Sequence, residues 1–331
     1  MRILEYVWLD GYKTPNLRSK IKIVQPSDPV PQWNYDGSST RQAPGESSEC
    51  ILEPVRIYNS QKKPNHSYVM CEVLSTDGSP HASNARARLS ALRNIWGPSE
   101  FWWGFEQEYF ITEDFVPLGF PKSGFYPRPQ GLYYCGVGGN QVRGRNLAME
   151  HLEDCLDIGI SLTGVNAEVA VGQWEYQCFG DDTLKACDDL WMSRYLLYRR
   201  AETFGWDIDV RPKPISGDWN GSGCHTNFST NWMRIGARGK KGVIDLMDKL
   251  AKSHDTHIRA YGENNDQRLT GHHETQHIDT FSWGVGDRGA SIRIPTAMKE
   301  NGWCGYVEDR RPASNCDPYA VAAAIVSSSE K

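Results

Sequence analysis

From Met1 to about Gly78, apolar and polar residues alternate in short runs. Glu5-Tyr6-Val7-Trp8-Leu9, Lys20-Ile21-Lys22-Ile23-Val24 and Tyr68-Val69-Met70-Cys71-Glu72-Val73 read as strands, because a two-residue period with β-branched and aromatic residues fits a half-buried pleat. Turn clusters of Pro, Gly, Asp and Ser separate them, so a small, mostly β unit is expected over residues 1–80. A helix should begin after Asn84, run through Arg93 and stop at Gly97-Pro98, the junction to a second unit over residues 85–331.

Beyond that junction the period changes. Ala148, Leu152, Cys155 and Leu156 fall at i, i+4, i+7 and i+8, and Leu184, Cys187, Trp191, Tyr195 and Tyr198 form a second helical stripe ending before Gly205. Val243, Leu246, Met247 and Leu250 form a third, after the basic stretch Arg238-Gly239-Lys240-Lys241-Gly242, and Asp317-Pro318 is an N-cap and first-turn pair for a last helix. Trp102 to Ile111 and Ala290 to Ile294 read as strands between them. Strands and helices mixed without regular βαβ spacing favour an α+β fold over a doubly wound sheet. There is no internal repeat and no low-complexity tract.

Composition mainly excludes. At 331 residues the chain has room for two of the roughly 100–200-residue units into which globular chains divide. With 36 Lys plus Arg against 41 Asp plus Glu, a net charge of −5, it lacks the basic footprint of a nucleic-acid or anionic-membrane binder. The longest apolar run, Tyr319 to Val326, falls well short of the ~20 residues of a spanning helix, and Met1 to Glu5 holds no signal core. Nine Cys without a C-x-x-C pair point to reduced thiols, hence a cytoplasmic protein.

Candidate chemistry concentrates in a few segments. In Phe105-Glu106-Gln107-Glu108-Tyr109-Phe110, period two puts Glu106 and Glu108 on one strand face bounded by aromatics. A solvated edge strand would explain the same letters. If the face is buried, two like charges there call for a cation, and carboxylate oxygens suit Mg²⁺ or Mn²⁺ better than zinc. Asn166-Ala167-Glu168 through Trp174-Glu175 adds two glutamates among small and apolar residues. Asn220-Gly221-Ser222-Gly223-Cys224-His225 adds a histidine beside glycines that let a small anion approach the backbone. Together these could hold two or three hard cations of the kind that orient ATP phosphates, although no G-x-x-x-x-G-K-[ST] loop is present. Arg268, Arg288, Arg293, Arg310 and Arg311 sit in loops or at strand ends, either as surface ion pairs or as forks for carboxylate and phosphate.

His273-Glu274-Thr275-Gln276-His277 matches the H-E-x-x-H of zinc peptidases. That chemistry needs the pentapeptide on a helix, with both imidazoles at one zinc. Here Leu269-Thr270-Gly271 precedes it, Trp283-Gly284-Val285-Gly286 follows soon after, and no helical apolar stripe runs through it. The expectation is a Gly-bounded loop that binds no zinc.

In order along the chain stand Trp33-Asn34-Tyr35-Asp36-Gly37-Ser38-Ser39-Thr40, Gly104-Phe105-Glu106-Gln107-Glu108-Tyr109, Tyr133-Tyr134-Cys135-Gly136-Val137-Gly138, Asn166-Ala167-Glu168-Val169, Asn220 through Ser229, Arg268-Leu269-Thr270-Gly271 and Tyr306-Val307-Glu308-Asp309-Arg310-Arg311-Pro312. On these motifs the chain resembles the glutamine synthetases of the eukaryote-like type II class, as found in bacteria, over nearly its whole length.

The resemblance implies an N-terminal β-grasp domain and a larger catalytic α+β domain of the glutamine synthetase/guanido kinase type. It also implies a homo-oligomer, a decamer of two pentameric rings with active sites between subunits. By the family pattern Glu108, Glu168 and Glu175 hold one divalent ion and Glu106, His225 and Glu308 another, two to three Mg²⁺ or Mn²⁺ per site in all. Asn220, Gly221, Arg268, Arg288 and Arg310 seat glutamate, and Asn227, Ser229, Arg293 and Tyr306 contact ATP, the second substrate. Asp36, Ser39 and Tyr134 form the ammonium site, Asp36 arriving from the adjacent subunit with Glu175 and Glu274 nearby, and Glu274 rides on a flap that excludes water.

The reaction implied is ligation of ammonia to L-glutamate through γ-glutamyl phosphate. The near-immediate start at the first strand lacks the leader of many eukaryotic members, and no Asn-Leu-Tyr adenylylation loop is present, so that regulation is not expected. A γ-glutamylamide synthetase using another amine would keep the same machinery, and a catalytically dead member or a zinc peptidase are further alternatives. Asp36 with Ser39 favours ammonia, and retention of all six candidate metal ligands argues against a dead member.

Overall fold

A computed structural model describes residues 1–97 and 100–329, so Pro98 of the expected junction lies outside the described residues. The N-terminal alternation folds as β1 (Arg2–Leu9), β2 (Leu17–Val24), β3 (Trp33–Asp36), β4 (Glu49–Asn59) and β5 (His66–Leu74), a sheet of order β2-β1-β5-β4-β3 in which only β1 and β5 run parallel. Leu4, Tyr6 and Trp8 pack on one face with Val69, Cys71 and Val73, while Val7 and Met70 point the other way into the main core. Strands β3 and β4 are the ones the alternation misses. β4 carries Pro54, and its register shifts between Pro54 and Arg56, so the bulge breaks the period that a strand reading depends on.

Helix α1 (Ala85–Trp96) starts where expected, with Asn84 Oδ1 accepting the Ala87 N–H at 2.9 Å, and Gly97 closes it at a φ of 91°. After it come β6 (Phe101–Glu113), β7 (Val116–Pro117), α2 (Arg145–Asp157), β8 (Leu162–Ala167), β9 (Gln173–Gly180), α3 (Thr183–Phe204), β10 (Asp207–Asp209) and β11 (Cys224–Thr230). The rest is α4 (Asn231–Arg234), α5 (Gly239–Lys252), α6 (His254–Ala260), β12 (Trp283–Val285), β13 (Ile292–Ile294), α7 (Thr296–Glu300), β14 (Val307–Asp309) and α8 (Pro318–Ser329). These strands form one sheet of order β12-β13-β14-β11-β6-β9-β8, with β7 and β10 also on β6, antiparallel except for β12–β13. The expected α+β composition is what forms.

The α5 stripe of Val243, Leu246, Met247 and Leu250 is buried as spaced, and Leu184, Cys187, Trp191 and Tyr195 of α3 are buried with it. In α2 the reading needs correction: Leu156 is 50 % exposed, and Leu147 and His151 take the inward positions. A histidine can do so because its Nε2 bonds the Ser193 carbonyl at 2.9 Å and its ring packs against Tyr176. Among the described residues no helix is long and apolar enough to cross a membrane.

The two sheets are tied together through a buried carboxylate. Asp188 on α3 accepts Arg86 of α1 at 2.8 and 3.0 Å, Arg56 of β4 at 3.1 Å and the Tyr319 hydroxyl of α8 at 2.6 Å. Removing its charge strands two half-buried guanidinium groups. Asp188→Asn should therefore lower folding stability by about 3–5 kcal/mol, read as the urea midpoint of tryptophan fluorescence; a loss below about 1 kcal/mol would contradict the lock.

Candidate active site

Strand β6 is buried on its helix-facing side from Phe101 to Ile111 and on both sides from Gln107 to Thr112, and its alternation sorts residues between the two faces. Phe105, Gln107 and Tyr109 face the helices, while Glu106 and Glu108 face away. Register then builds the site across neighbouring strands. His225 of β11 and Gln177 of β9 lie opposite Glu106, and Glu175 lies opposite Glu108, with Asn166 of β8 beyond it. Arg293 of β13 and Asn227 of β11 flank Glu308 on β14. Directly opposed residues in antiparallel strands share a face, so these side chains converge. Glu168 joins them from the turn after β8, its N–H bonded to the Gln173 carbonyl at 2.9 Å.

The carboxylates are held, but not equally neutralised. Glu308 pairs with Arg310 at 2.7 Å and with Arg293. Glu106 accepts Asn227 Nδ2 at 2.8 Å and lies 3.3 Å from His225 Nδ1. The other three take hydrogen bonds from neutral groups: Glu108 from Gly223 N–H at 2.8 Å and Gln173 at 3.2 Å, Glu168 from Asn166 at 2.9 Å and Val169 N–H at 3.1 Å, and Glu175 from Gln177. Among the described residues none of these three has an arginine or lysine nitrogen within 4 Å.

Protonation follows from this. Burial pushes the carboxyls of Glu108, Glu168 and Glu175 well up, and the neighbouring carboxylates push those of Glu168 and Glu175 further; the Arg268 charge opposes the rise at Glu108. Burial and the adjacent Arg310 hold His225 neutral. Arg268 donates to His225 Nε2 at 3.0 Å, so without a cation the imidazole proton sits on Nδ1, toward Glu106 and Glu308, and ligation through Nδ1 requires that proton to leave it and the Arg268 hydrogen bond to give way. A divalent cation fits this donor set. One ligand atom from each of Glu106, Glu175 and His225 lies within 4.8 Å of the others, hard oxygens dominate, and a cation takes the place of the protons that keep the cluster from repelling itself.

Arg268 is buried and drawn down to about 10 by burial. Crowding explains the glycines at 221 and 223: a Cβ on Gly221 would meet the Pro212 carbonyl oxygen and, at 2.8 Å, Arg268 Cγ, and one on Gly223 would meet Arg268 Nη2 at 2.5 Å. Here glycine lets Arg268 and the Pro212 carbonyl lie against the backbone.

The H-E-x-x-H segment is a loop. His273 and Glu274 have φ of 54° and 59°, His273 Nε2 lies 3.3 Å from Asp218, and His277 lies 3.7 Å from Asp279. Two consecutive left-handed residues cannot belong to an α-helix, so the zinc geometry is not formed. Arg310 Nη2 donates to the Glu274 carbonyl at 3.3 Å, which ties this loop to Glu308.

The resulting cavity of about 560 Å³ is lined by Glu106, Glu108, Glu168, Glu175, His225 and Glu308, by Arg268, Arg288, Arg293 and Arg310, and by Tyr134, Asn220, Gly221 and Glu274. Asn227, Ser229 and Tyr306 line instead a more apolar groove of about 850 Å³ with Trp102 and Phe179, which shares Glu106 and Gln177 with the cavity. Asp36 and Ser39 lie outside the cavity of their own chain; the Asp36 carboxylate is exposed and held at about 2 by the Ser38 and Ser39 hydroxyls. Arg311 is not a site residue: it is buried behind β14, paired with Asp309 at 2.7 Å and bonded by His254 and His257. The sequence reading missed Gln130 and Gln177. Gln177 was detectable, two residues beyond Glu175 on the same strand face; Gln130 lies in a loop with no period to reveal it.

Comparison with known proteins finds three likenesses of sequence and one of fold. A family model described as the glutamine synthetase catalytic domain matches residues 85–238. The glutamine synthetase of Bradyrhizobium diazoefficiens is 51 % identical over 333 residues, spanning 98 % of this chain and 94 % of that one. That of Schizosaccharomyces pombe is 48 % identical over 327 residues, 97 % of this chain and 90 % of its own. Among solved structures, a cryo-EM Plasmodium falciparum glutamine synthetase superposes with a TM-score of 0.78 over 99 % of this chain and 71 % of that one at 18 % identity, a likeness of fold.

The raised carboxyls make stability depend on pH and metal together. A carboxyl whose folded pKa exceeds its ordinary 4.5 binds its proton more tightly when folded, so stability is lost as pH rises from there through the folded value. The metal-free protein should lose thermal stability between about pH 5 and pH 8, and Mg²⁺ should restore it by an amount that grows with pH. Differential scanning across that range checks this, and a Mg²⁺ effect that shrinks as pH rises would contradict it.

Proposed function

The chain belongs to the glutamine synthetase family, and from this premise we propose how its cavity works. It is a glutamate–ammonia ligase, joining ammonia to L-glutamate with ATP to give L-glutamine, ADP and phosphate. What supports the assignment of the cavity is that residues from six separate family motifs, among them Glu106, Tyr134, Glu168, His225, Arg268 and Glu308, line one space together with Glu175, Arg288 and Arg293.

In this reading Glu108, Glu168 and Glu175 hold one divalent ion and Glu106, His225 and Glu308 another, Mg²⁺ or Mn²⁺, with Glu175 reaching toward both sets. Such ions, two to three per site, supply charge neutralisation at the γ-phosphoryl group. The apolar groove of Asn227, Ser229 and Tyr306 receives the nucleotide, and Arg293 points its phosphates toward the carboxylates. Asn220, Gly221, Arg268, Arg288 and Arg310 seat glutamate so that its side-chain carboxylate attacks the γ-phosphorus; the new O–P bond forms as the bond to ADP breaks. Glu274 closes over the γ-glutamyl phosphate and keeps water from it.

Ammonia then attacks the acyl carbon and phosphate leaves. Ammonium must first be bound and lose a proton, and Asp36 with Ser39 of an adjacent subunit, facing Tyr134, takes that role. At about 2 the exposed Asp36 carboxyl suits cation binding more than proton acceptance, and burial against a partner would raise it toward a base. This places the active site between subunits of a homo-oligomer, for which a decamer of two pentameric rings is the family arrangement. We further assign residues 1–80 to a β-grasp domain and 85–331 to the catalytic domain, in a cytoplasmic enzyme. The full-length glutamine synthetase matches disfavour both a γ-glutamylamide synthetase and a zinc peptidase.

Hydroxylamine is largely neutral at pH 7 and needs no deprotonation, which separates amine activation from acyl phosphate formation. Asp36→Ala should cut glutamine formation at least about 100-fold while largely sparing γ-glutamyl hydroxamate formation. Mixed assemblies of Asp36→Ala with Glu108→Ala chains should regain activity. Equal loss with both amines, or no rescue in verified mixed assemblies, would overturn the shared ammonium site.

A further inference from the structure

Arg194, in the middle of α3, is 3 % exposed, yet among the described residues no carboxylate lies within 4 Å of its guanidinium. A buried charge without a counter-charge is costly, so the fold keeps this one for a reason other than packing. Each of its three nitrogens donates a hydrogen bond. Nε bonds Gln107 Oε1 at 2.7 Å, Nη1 the Cys316 carbonyl at 2.7 Å and Nη2 the Ser314 carbonyl at 3.1 Å, while the fork lies over Trp191 at 4.6 Å.

Gln107 is the middle residue of Glu106-Gln107-Glu108 and points away from the cavity, into the helix layer. Its strand neighbours on that face, Phe105 and Tyr109, are aromatic, so an apolar residue would serve packing alone. A guanidinium can only donate, which fixes Gln107 Oε1 toward Arg194 and turns Nε2 onto the Glu108 carbonyl at 2.8 Å and Ser314 Oγ at 2.7 Å. The Ser314 N–H bonds the Ser222 carbonyl at 3.1 Å, and the Gly223 N–H bonds Glu108 Oε2 at 2.8 Å. The circuit closes on the carboxylate of Glu108 from behind the sheet.

We propose that Arg194 and Gln107 form a positioning unit that fixes Glu108 for the divalent cation, although neither residue lines the cavity. This rests on the metal reading of the cavity given above. Partners one layer behind a metal ligand typically change affinity by about 10–100-fold when removed.

The test is Mn²⁺ binding, read by electron paramagnetic resonance of free Mn²⁺ with no substrates present. Gln107→Met and Arg194→Met should each weaken Mn²⁺ binding at least about 10-fold in protein that is folded by circular dichroism. Asp188→Asn, which destabilises the fold elsewhere, should leave Mn²⁺ affinity within about threefold of the parent. If Arg194→Met does not fold, Arg194→Lys keeps the charge but loses the fork, and with Gln107→Met it carries the test. Mn²⁺ affinity unchanged in Gln107→Met, or equally reduced in Asp188→Asn, would overturn the positioning role. A parent protein that binds no Mn²⁺ would instead overturn the metal reading itself.

Discussion

Five glutamates, Glu106, Glu108, Glu168, Glu175 and Glu308, open onto one cavity, and a cluster of that kind cannot be fully ionised unless positive charge is brought to it. The protein meets this constraint on one side only. Arg293 and Arg310 neutralise Glu308, whereas Glu108, Glu168 and Glu175 are held by neutral amides and backbone N–H groups. Neutral donors orient a carboxylate without satisfying its charge, which leaves that charge for a cation.

The rest of the fold makes such a cluster rigid. An antiparallel register lines the carboxylates up across β8, β9, β6, β11 and β14, so their spacing is set by backbone hydrogen bonds rather than by side-chain choice. Behind the sheet, α3 packs on β6 and β9 and α8 packs on α3, with Phe105 and Tyr109 in the same core. Asp188 locks the N-terminal sheet onto the same helices. The loop carrying Glu274 is tied to Glu308 through Arg310.

Much of this was legible in the chain. Period two on β6 identified Glu106 and Glu108 as cofacial, and the same rule extended to β9 finds Gln177. The stripes of α3 and α5 follow the apolar spacing, but α2 turns because a satisfied histidine replaces a leucine inside, an outcome of long-range bonding to Ser193 that local periodicity does not encode. β4 stayed hidden behind the Pro54 bulge. The glycines at 221 and 223 look like an anion cradle in sequence, and only the folded positions of Arg268 and the Pro212 carbonyl reveal what else their missing Cβ atoms make room for. Which arginine of the 310–311 pair enters the cavity is likewise decided by strand alternation on β14, which sends Arg311 to Asp309 behind the sheet.

The central claim is that buried protons stand in for cations in this cluster, so cation binding must expel them. Isothermal titration of the metal-free protein with Mg²⁺ at about pH 7, in two buffers of different ionisation enthalpy, measures that exchange directly. The account predicts release of about one or more protons per chain on binding, falling as the pH is raised through the range of the elevated carboxyls. Tight Mg²⁺ binding with the same apparent enthalpy in both buffers would mean that the carboxylates are already ionised without a cation, and would contradict it.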